Sequence, residues 1–159
     1  MPLADTPFVA VIGPGAIGGL LADSLARAGG KVVLVSSQTG AARLRKEGLT
    51  VIAENGRRRT VRSWLAVEHA PSRRHGCEAV FICVKQPAFA TALAAARRLA
   101  GPDTPIVSLL NGAAHMDAFR RATGRRGVLG VAYYAAMRES AGAVRHTGGR
   151  LIGLGRGAA

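Results

Sequence analysis

Hydrophobic and polar positions alternate between two periodicities along this chain. Phe8 to Ile12 (FVAVI) is wholly apolar, the pattern of a short strand buried on both faces. Immediately afterwards Ile17, Leu20, Leu21, Leu25 and Ala28 recur at helical spacing and give one apolar face, which Gly29-Gly30 ends. Lys31 to Ser36 (KVVLVS) reads as a second buried strand, and Ala41 to Glu47 as a short helix closed by Gly48. Leu49 to Ala53 and Thr60 to Val67 read as strands flanking ENGRRR, where Asn55-Gly56 is a hairpin signal. Then come a strand at Ala79 to Val84 (AVFICV), a helix from about Ala88 to Leu99, and a turn at Pro102 to Pro105. A strand at Ile106 to Leu110 and a helix at Ala113 to Arg121 follow. From Val128 onward VLGVAYYAAMRES, AGAVRHT and GRLIGLG read as extended segments, at a sheet edge or in a hairpin.

This alternation predicts an α/β fold of Rossmann type, a doubly wound, mainly parallel sheet with helices on both faces. The length of 159 residues fits one such domain, residues 1–159, and is too short for two large ones. In open parallel sheets ligands gather beyond the carboxyl ends of the strands, near the switch in strand order. That rule selects Gly13 to Gly18, Ser36-Ser37-Gln38, Lys85-Gln86 and Asn111-Gly112.

Gly13, Gly15 and Gly18 form G-x-G-x-x-G between the first strand and its helix, inside a unit of βαβ length. The glycines serve different ends: Gly13 allows the sharp turn, Gly15 the approach of a pyrophosphate, and Gly18 close helix packing. Pro14, Ala16 and Ile17 complete the loop, and the free N–H groups at the helix start, aided by the helix dipole, face the phosphate charge. The plain alternative is a glycine-rich turn with no ligand. After the second strand the chain reads SSQTG, with no acid. A carboxylate there serves NAD by accepting from the ribose hydroxyls, and it would repel a 2′-phosphate. Ser37, Gln38 and Thr39 can donate to that phosphate, and Arg43 is placed to approach it from the next helix. NADP(H) is therefore favoured over NAD(H).

Charge adds one qualification. The formal net charge of +13 comes mainly from arginine, as Arg57-Arg58-Arg59, Arg73-Arg74, Arg97-Arg98, Arg120-Arg121 and Arg125-Arg126. These runs lack interleaved aromatics and any nucleic-acid motif, so they read as a solvated surface that favours phosphorylated ligands, not as a specific nucleic-acid interface. The apolar runs are too short to span a membrane. Met1 to Pro7 shows no basic region followed by an apolar segment, which argues for the cytoplasm. Cys77 and Cys83 are not spaced C-x-x-C and read as reduced thiols. His69, His75, His115 and His146 have no metal-ligand spacing, so no metal is expected. His115 reads as a polar helix residue, and Tyr133 and Tyr134 as half core, half surface, with one of them able to face a substrate cleft.

With these residues assembled, the chain resembles the amino-terminal domain of the ketopantoate reductase (2-dehydropantoate 2-reductase) family over nearly its whole length. The likeness rests on IGPGAIGG and its helix, RLRKEGLTV, VFICVKQ, SLLNG and the closing VLGVAYYAAMRESAGAVRHTGGRLIGLG. It implies an oxidoreductase that reduces ketopantoate, a small 2-keto acid, to pantoate with NADPH, a step toward coenzyme A. It implies that Gly13, Gly15 and Gly18 hold the pyrophosphate and that Lys85 lies beside cofactor and substrate. Asn111 would contact the ribose side of the nicotinamide and help place the substrate, with Gly112 beside it. Two departures stand out. Family members often carry arginine where this chain has Ser37. The family also continues into a helical domain with the lysine that protonates the alkoxide and a glutamate that binds substrate, and this chain ends at GLGRGAA. Such a chain is expected to bind cofactor with negligible turnover; the alternative is a stand-alone NADP-binding module. The resemblance leaves a homodimer open.

Overall fold

The computed structural model describes residues 6–62, 64, 66–69 and 76–155. Arg73, Arg74, His75 and most of the Met1 to Pro7 segment therefore lie outside the described residues. The elements run β1 (Phe8–Ile12), α1 (Ala16–Arg27), β2 (Val32–Val35), α2 (Gln38–Glu47), β3 (Leu49–Ile52), β4 (Arg58–Val61) and β5 (Ala66–Glu68). They continue with β6 (Cys77–Ile82), α3 (Phe89–Leu99), β7 (Ile106–Ser108), α4 (Met116–Thr123), β8 (Gly127–Ser140) and β9 (Ala143–Leu154).

The strands form one sheet in the order β4-β3-β9-β8-β7-β6-β1-β2-β5. Its larger part, from β5 through β2, β1, β6 and β7 to the start of β8, is parallel throughout. Counted within that part the order is 3-2-1-4-5-6, the Rossmann arrangement, and the switch point falls between β1 and β6. The expected fold class is present. Beyond Leu129 the character changes. From Gly130, β8 pairs antiparallel with β9, the start of β9 pairs parallel with β3, and β3 pairs antiparallel with β4.

Side-chain alternation along the parallel strands divides the core in two. Ala10, Ile12, Val33, Val35, Val80 and Ile82 pack with Phe89 and Leu93 of α3 and Phe119 of α4. Val11, Val32, Leu34 and Val107 pack with Leu20 and Leu21 of α1, joined by Leu44 of α2. Leu49, Val51 and Val144 belong to this second cluster, so the antiparallel end of the sheet closes over α1. Helix α1 thus lies between the two ends of one sheet. A Cβ on Gly19 would sit 3.2 Å from Leu49 and 3.3 Å from Val144, which shows how closely that cover fits.

Two expectations need correction. The run Thr60 to Val67 is not one strand: β4 ends at Val61, and β5 pairs with β2 on the opposite edge of the sheet. The four residues of β3 are fully paired once Val61 meets Leu49, whereas β2 still has an open edge for Ala66 to Glu68. The closing segments are a hairpin, but it lies between β7 and β3 and not at an edge. Smaller shifts have local causes. Helix α2 starts at Gln38, before Ala41, because the Ser37 hydroxyl caps it by accepting from Gly40 N at 3.2 Å.

Candidate functional site

Strands β2, β1, β6 and β7 are parallel neighbours, so their carboxyl ends share one rim. All the segments singled out in the sequence arrive there: Ser36-Ser37-Gln38 after β2, Gly13 to Gly18 after β1, Lys85 after β6, and Asn111-Gly112 after β7. With adjacent strands about 4.8 Å apart, the rim from β2 to β7 spans roughly 15 Å.

The three motif glycines differ in what surrounds them. Gly13 has φ +85°, and a Cβ there would meet Val84 Cγ1 at 2.6 Å and the Cys83 carbonyl oxygen at 3.1 Å. A Cβ on Gly18 would run into the Gly13 carbonyl and come within 2.9 Å of Cys83 Cβ. At Gly15 nothing lies within 4 Å. Two glycines are thus needed for packing, and the one between them presents open backbone. Gly15 is also the N-cap of α1, which has no side-chain cap. The first helical bond is donated by Gly19 N to Gly15 O at 2.8 Å, so the amides of Ala16, Ile17 and Gly18 precede the helical ladder. Pro14 lies inside the turn closed by the Gly15 N–H to Gly13 O bond of 2.7 Å. Beneath the loop, burial pushes the Cys83 thiol up to about 12, so it serves as neutral packing.

At the end of β2, Ser36 N donates to Glu68 O at 2.9 Å, which ties this corner to β5. The Ser37 hydroxyl accepts from Gly40 N, and its own proton is left for Thr39 Oγ1 at 3.4 Å or for a ligand. Gln38 and Thr39 are exposed in the first turn of α2. Arg43 does not join them. Its guanidinium donates to Ala141 O at 3.2 Å, in the β8–β9 turn that lies against Gly48 at the far end of α2. The expected approach of Arg43 to this corner is therefore corrected: the side chain follows the carbonyl of a turn that only the tertiary fold brings near.

Lys85 is exposed and extended, and caps a 3₁₀ turn at Gln86–Ala88 whose closing bond runs from Ala88 N to Lys85 O at 3.0 Å. Asn111 is exposed as well, and Gly112 turns the chain at φ +89°. Below this loop lies a pair that sequence reasoning misses. His115, expected as a polar residue within the helix, is buried at the N-cap of α4, its Nε2 3.1 Å from the Ser108 hydroxyl and its ring edge-on to Phe89 at 4.9 Å. Burial holds this imidazole below its ordinary value, with the Gly112 backbone opposing. The available signal is Ser108, a lone hydroxyl inside the buried strand IVSLL that requires a partner.

Tyr133 is exposed and Tyr134 packs toward the α1 side of the core, which matches the half-core reading. Cys77 and Cys83 are both free. Among the described residues no group of three or more His, Cys, Asp or Glu is placed to hold a metal, and no helix is long and apolar enough to cross a membrane.

The donor set suits a dinucleotide: an open glycine, amides ahead of the helical ladder at a helix start, and hydroxyls at the end of β2, where Ser36 to Thr39 carry no acid and Glu68 stands on the adjoining β5. Comparison with known proteins agrees with this geometry. The family model described as ketopantoate reductase PanE/ApbA matches residues 9–159. No match was found among curated protein sequences. Among solved structures, 2-dehydropantoate 2-reductase from Geobacter metallireducens GS-15 is 27% identical, with a TM-score of 0.80 over 94% of this chain and 49% of its own. The PanE/ApbA family ketopantoate reductase from Ralstonia eutropha JMP134 is 29% identical, with a TM-score of 0.75 over 88% and 46%. D-mandelate dehydrogenase, solved with NADH and anilino(oxo)acetate, shares the fold at 20% identity, with a TM-score of 0.76 over 88% and 45%. The chain spans about half the length of these relatives. With nearly all of its residues under one family model, the chain belongs to the ketopantoate reductase PanE/ApbA family.

Proposed function

We propose that this chain is the cofactor half of an NADPH-dependent reductase of 2-keto acids, ketopantoate first among them, with the dinucleotide laid along the carboxyl rim. The observation that carries this reading is the contrast within the glycine motif. Gly13 and Gly18 are closed in by neighbours, while Gly15 faces open space at an uncapped helix start. A pyrophosphate placed there takes up the amides of Ala16 and Ile17, which precede the helical ladder, and the helix dipole adds to the attraction. Ser37 donates its free hydroxyl proton to a 2′-phosphate, with Gln38 and Ser36 beside it, and no acid at these positions opposes that charge.

When bound, the cofactor supplies the hydride. The residues of this chain bind and orient. Lys85 brings a point charge to the rim for a carboxylate or phosphate. Asn111 presents both a donor and an acceptor, so it can meet the ribose and a substrate oxygen from one position, held by the turn at Gly112. Lys85 is assigned binding and not proton donation. The acid that quenches the alkoxide belongs to the part of such enzymes that this half-length chain does not match.

Titration with NADPH tests this reading. Gly15→Asp sets a carboxylate against the pyrophosphate where there is room for it, so binding is expected to be lost while the thermal midpoint stays close to wild type. Unchanged NADPH affinity in that variant would remove the glycine loop from the site.

A further inference from the structure

A second basic feature lies away from the rim. The carboxyl half of α1 and the antiparallel end of the sheet enclose a cleft of about 590 Å³, within the usual range for small-molecule sites. Leu20, Val51 and Ala53 give it an apolar wall, and Tyr134 stands in it tilted against His146 at 5.9 Å. The rest of the lining is polar, with Asp23, Ser24 and Asn55 among five arginines that come from separate parts of the fold: Arg27 from α1, Arg57, Arg58 and Arg59 from the β3–β4 hairpin, and Arg150 from β9.

The acids nearby position arginines more than they neutralise the cleft. Asp23, buried on α1, holds Arg59 Nη2 at 2.5 and 2.6 Å with its two oxygens. Glu54 is engaged by His146 Nδ1 at 3.1 Å and Arg150 Nη2 at 3.4 Å. Arg27, Arg57 and Arg58 have no carboxylate within salt-bridge distance among the described residues; Glu139, which Arg58 feels at longer range, is held by Arg145 at 2.5 Å. Arg58 and Arg59 are successive residues of β4 and leave it on opposite faces, Arg59 toward Asp23 and Arg58 on the side of Glu139. The uncompensated guanidinium groups of Arg27 and Arg57, beside those of Arg59 and Arg150 on one concave, partly apolar surface, repel one another, and a bound anion relieves that repulsion. Two other described arginine pairs differ. Arg97-Arg98 and Arg120-Arg121 fall in the last turns of α3 and α4, where a helix carboxyl end already favours cations.

We propose that this cleft is a second ligand site, separate from the glycine loop, which takes a phosphorylated small molecule of about nucleotide size. The guanidinium groups would grip its phosphates, and the Tyr134 face and apolar wall would cover its less polar part.

The site is tested in a Gly15→Asp background, which takes the glycine loop out of play, by calorimetric titration with inorganic tripolyphosphate and with ATP in moderate salt. Saturable binding is expected, and Arg27→Gln with Arg57→Gln should weaken it about tenfold or more. Arg97→Gln with Arg98→Gln should leave it within about twofold, as expected for an exposed pair outside the site. ATP binding more tightly than tripolyphosphate would mark a nucleotide as the ligand, and the reverse an inorganic phosphate; both support the site. In the chain with its arginines intact, the amides of Ser24, Asn55 and Arg150 should shift in nuclear magnetic resonance spectra on addition of either probe. Equal weakening by the two arginine pairs, shifts spread over α3 in place of the cleft, or no saturation would overturn the proposal and leave only general attraction of polyanions.

Discussion

The parallel and antiparallel parts of the sheet use the same chain in opposite ways. In the parallel part the strands are three to six residues long and packed between layers, with β2 buried at all four positions. A strand covered on both faces, as β2 is, leaves no side chain free for chemistry, so function is left to loops at the rim, where backbone amides and a few end residues face out. In the antiparallel part β8 and β9 run for 14 and 12 residues, and β8 alternates between half-buried and exposed positions along much of its length. There the strands themselves present side chains, and the arginine-lined cleft is built from them. Helix α1 serves both: its amino end faces the rim and its carboxyl half forms one side of the cleft.

Substitutions in each part sharpen that contrast. The largest effect is expected where the glycine loop packs on β6. Gly18→Ala drives a Cβ against the Gly13 carbonyl and Cys83, neither of which can move without shifting a strand, and should cost about 3 kcal/mol of unfolding free energy. Gly15→Ala, three residues earlier and in open space, should cost about 1 kcal/mol or less, because only the helix cap is changed. Equal losses in urea unfolding would erase the distinction between packing and presenting glycines.

In the antiparallel part the expected loss is smaller and electrostatic. Arg59→Met leaves the buried Asp23 carboxylate without its partner and should cost about 2 kcal/mol, of which Asp23→Asn in the same chain restores a part. A double variant no more stable than Arg59→Met alone would show that the arginine acts through packing of its stem.

A pH series separates the Asn111 loop from both. The His115 imidazole binds its proton less tightly folded than unfolded, because burial outweighs the Gly112 contact. The unfolded chain therefore takes up more protons as pH falls below about 6.5, and stability should decline between roughly pH 7 and 5. His115→Gln should flatten that decline. A slope unchanged by the substitution would place the titrating group elsewhere.

The smallest effect is expected at the β2 corner. Ser37→Asp keeps the cap on α2, since aspartate caps as well as serine, so unfolding should be unaffected. Its charge should move preference from NADPH toward NADH by about fivefold, a change of about 1 kcal/mol. A wild-type chain that already prefers NADH would contradict the reading of this corner.

What the sequence makes legible follows the same division. The buried strands, the glycine turn and the rim positions depend on local patterns: FVAVI and VVLV are apolar throughout, and Lys85 and Asn111 follow strands whose ends a short-range reading can find. The register of the antiparallel part depends on partners far along the chain. Thr50 pairs with Ala143, and nothing near Thr50 announces this. The partner of β5 is β2, equally unannounced, so a local reading merges β4 and β5 into one strand. Arg43 and His115 are misplaced by local reasoning for the same cause. Their partners, Ala141 and Ser108, meet them only after the sheet has formed. Ser37 is the exception, because its capping of Gly40 is a three-residue signal within reach of the sequence and marks the start of α2 at Gln38.

The distant partner of β3 has a consequence during synthesis. The β3–β4 hairpin can form as soon as Val61 leaves the ribosome, yet the edge that β9 will cover stays bare until Ala143 to Arg145 emerge. At translation rates of roughly 5–20 residues per second, that edge waits for several seconds beside other nascent chains. An unpaired strand edge is a template for wrong pairing, and charge is a common guard against it. Arg58 and Arg59 lie on the other strand of this hairpin, with Arg57 at its entrance, so the growing chain carries a dense positive charge next to its bare edge. The same arginines that line a cleft in the finished molecule would then keep two half-made copies apart while the sheet waits for its last strand.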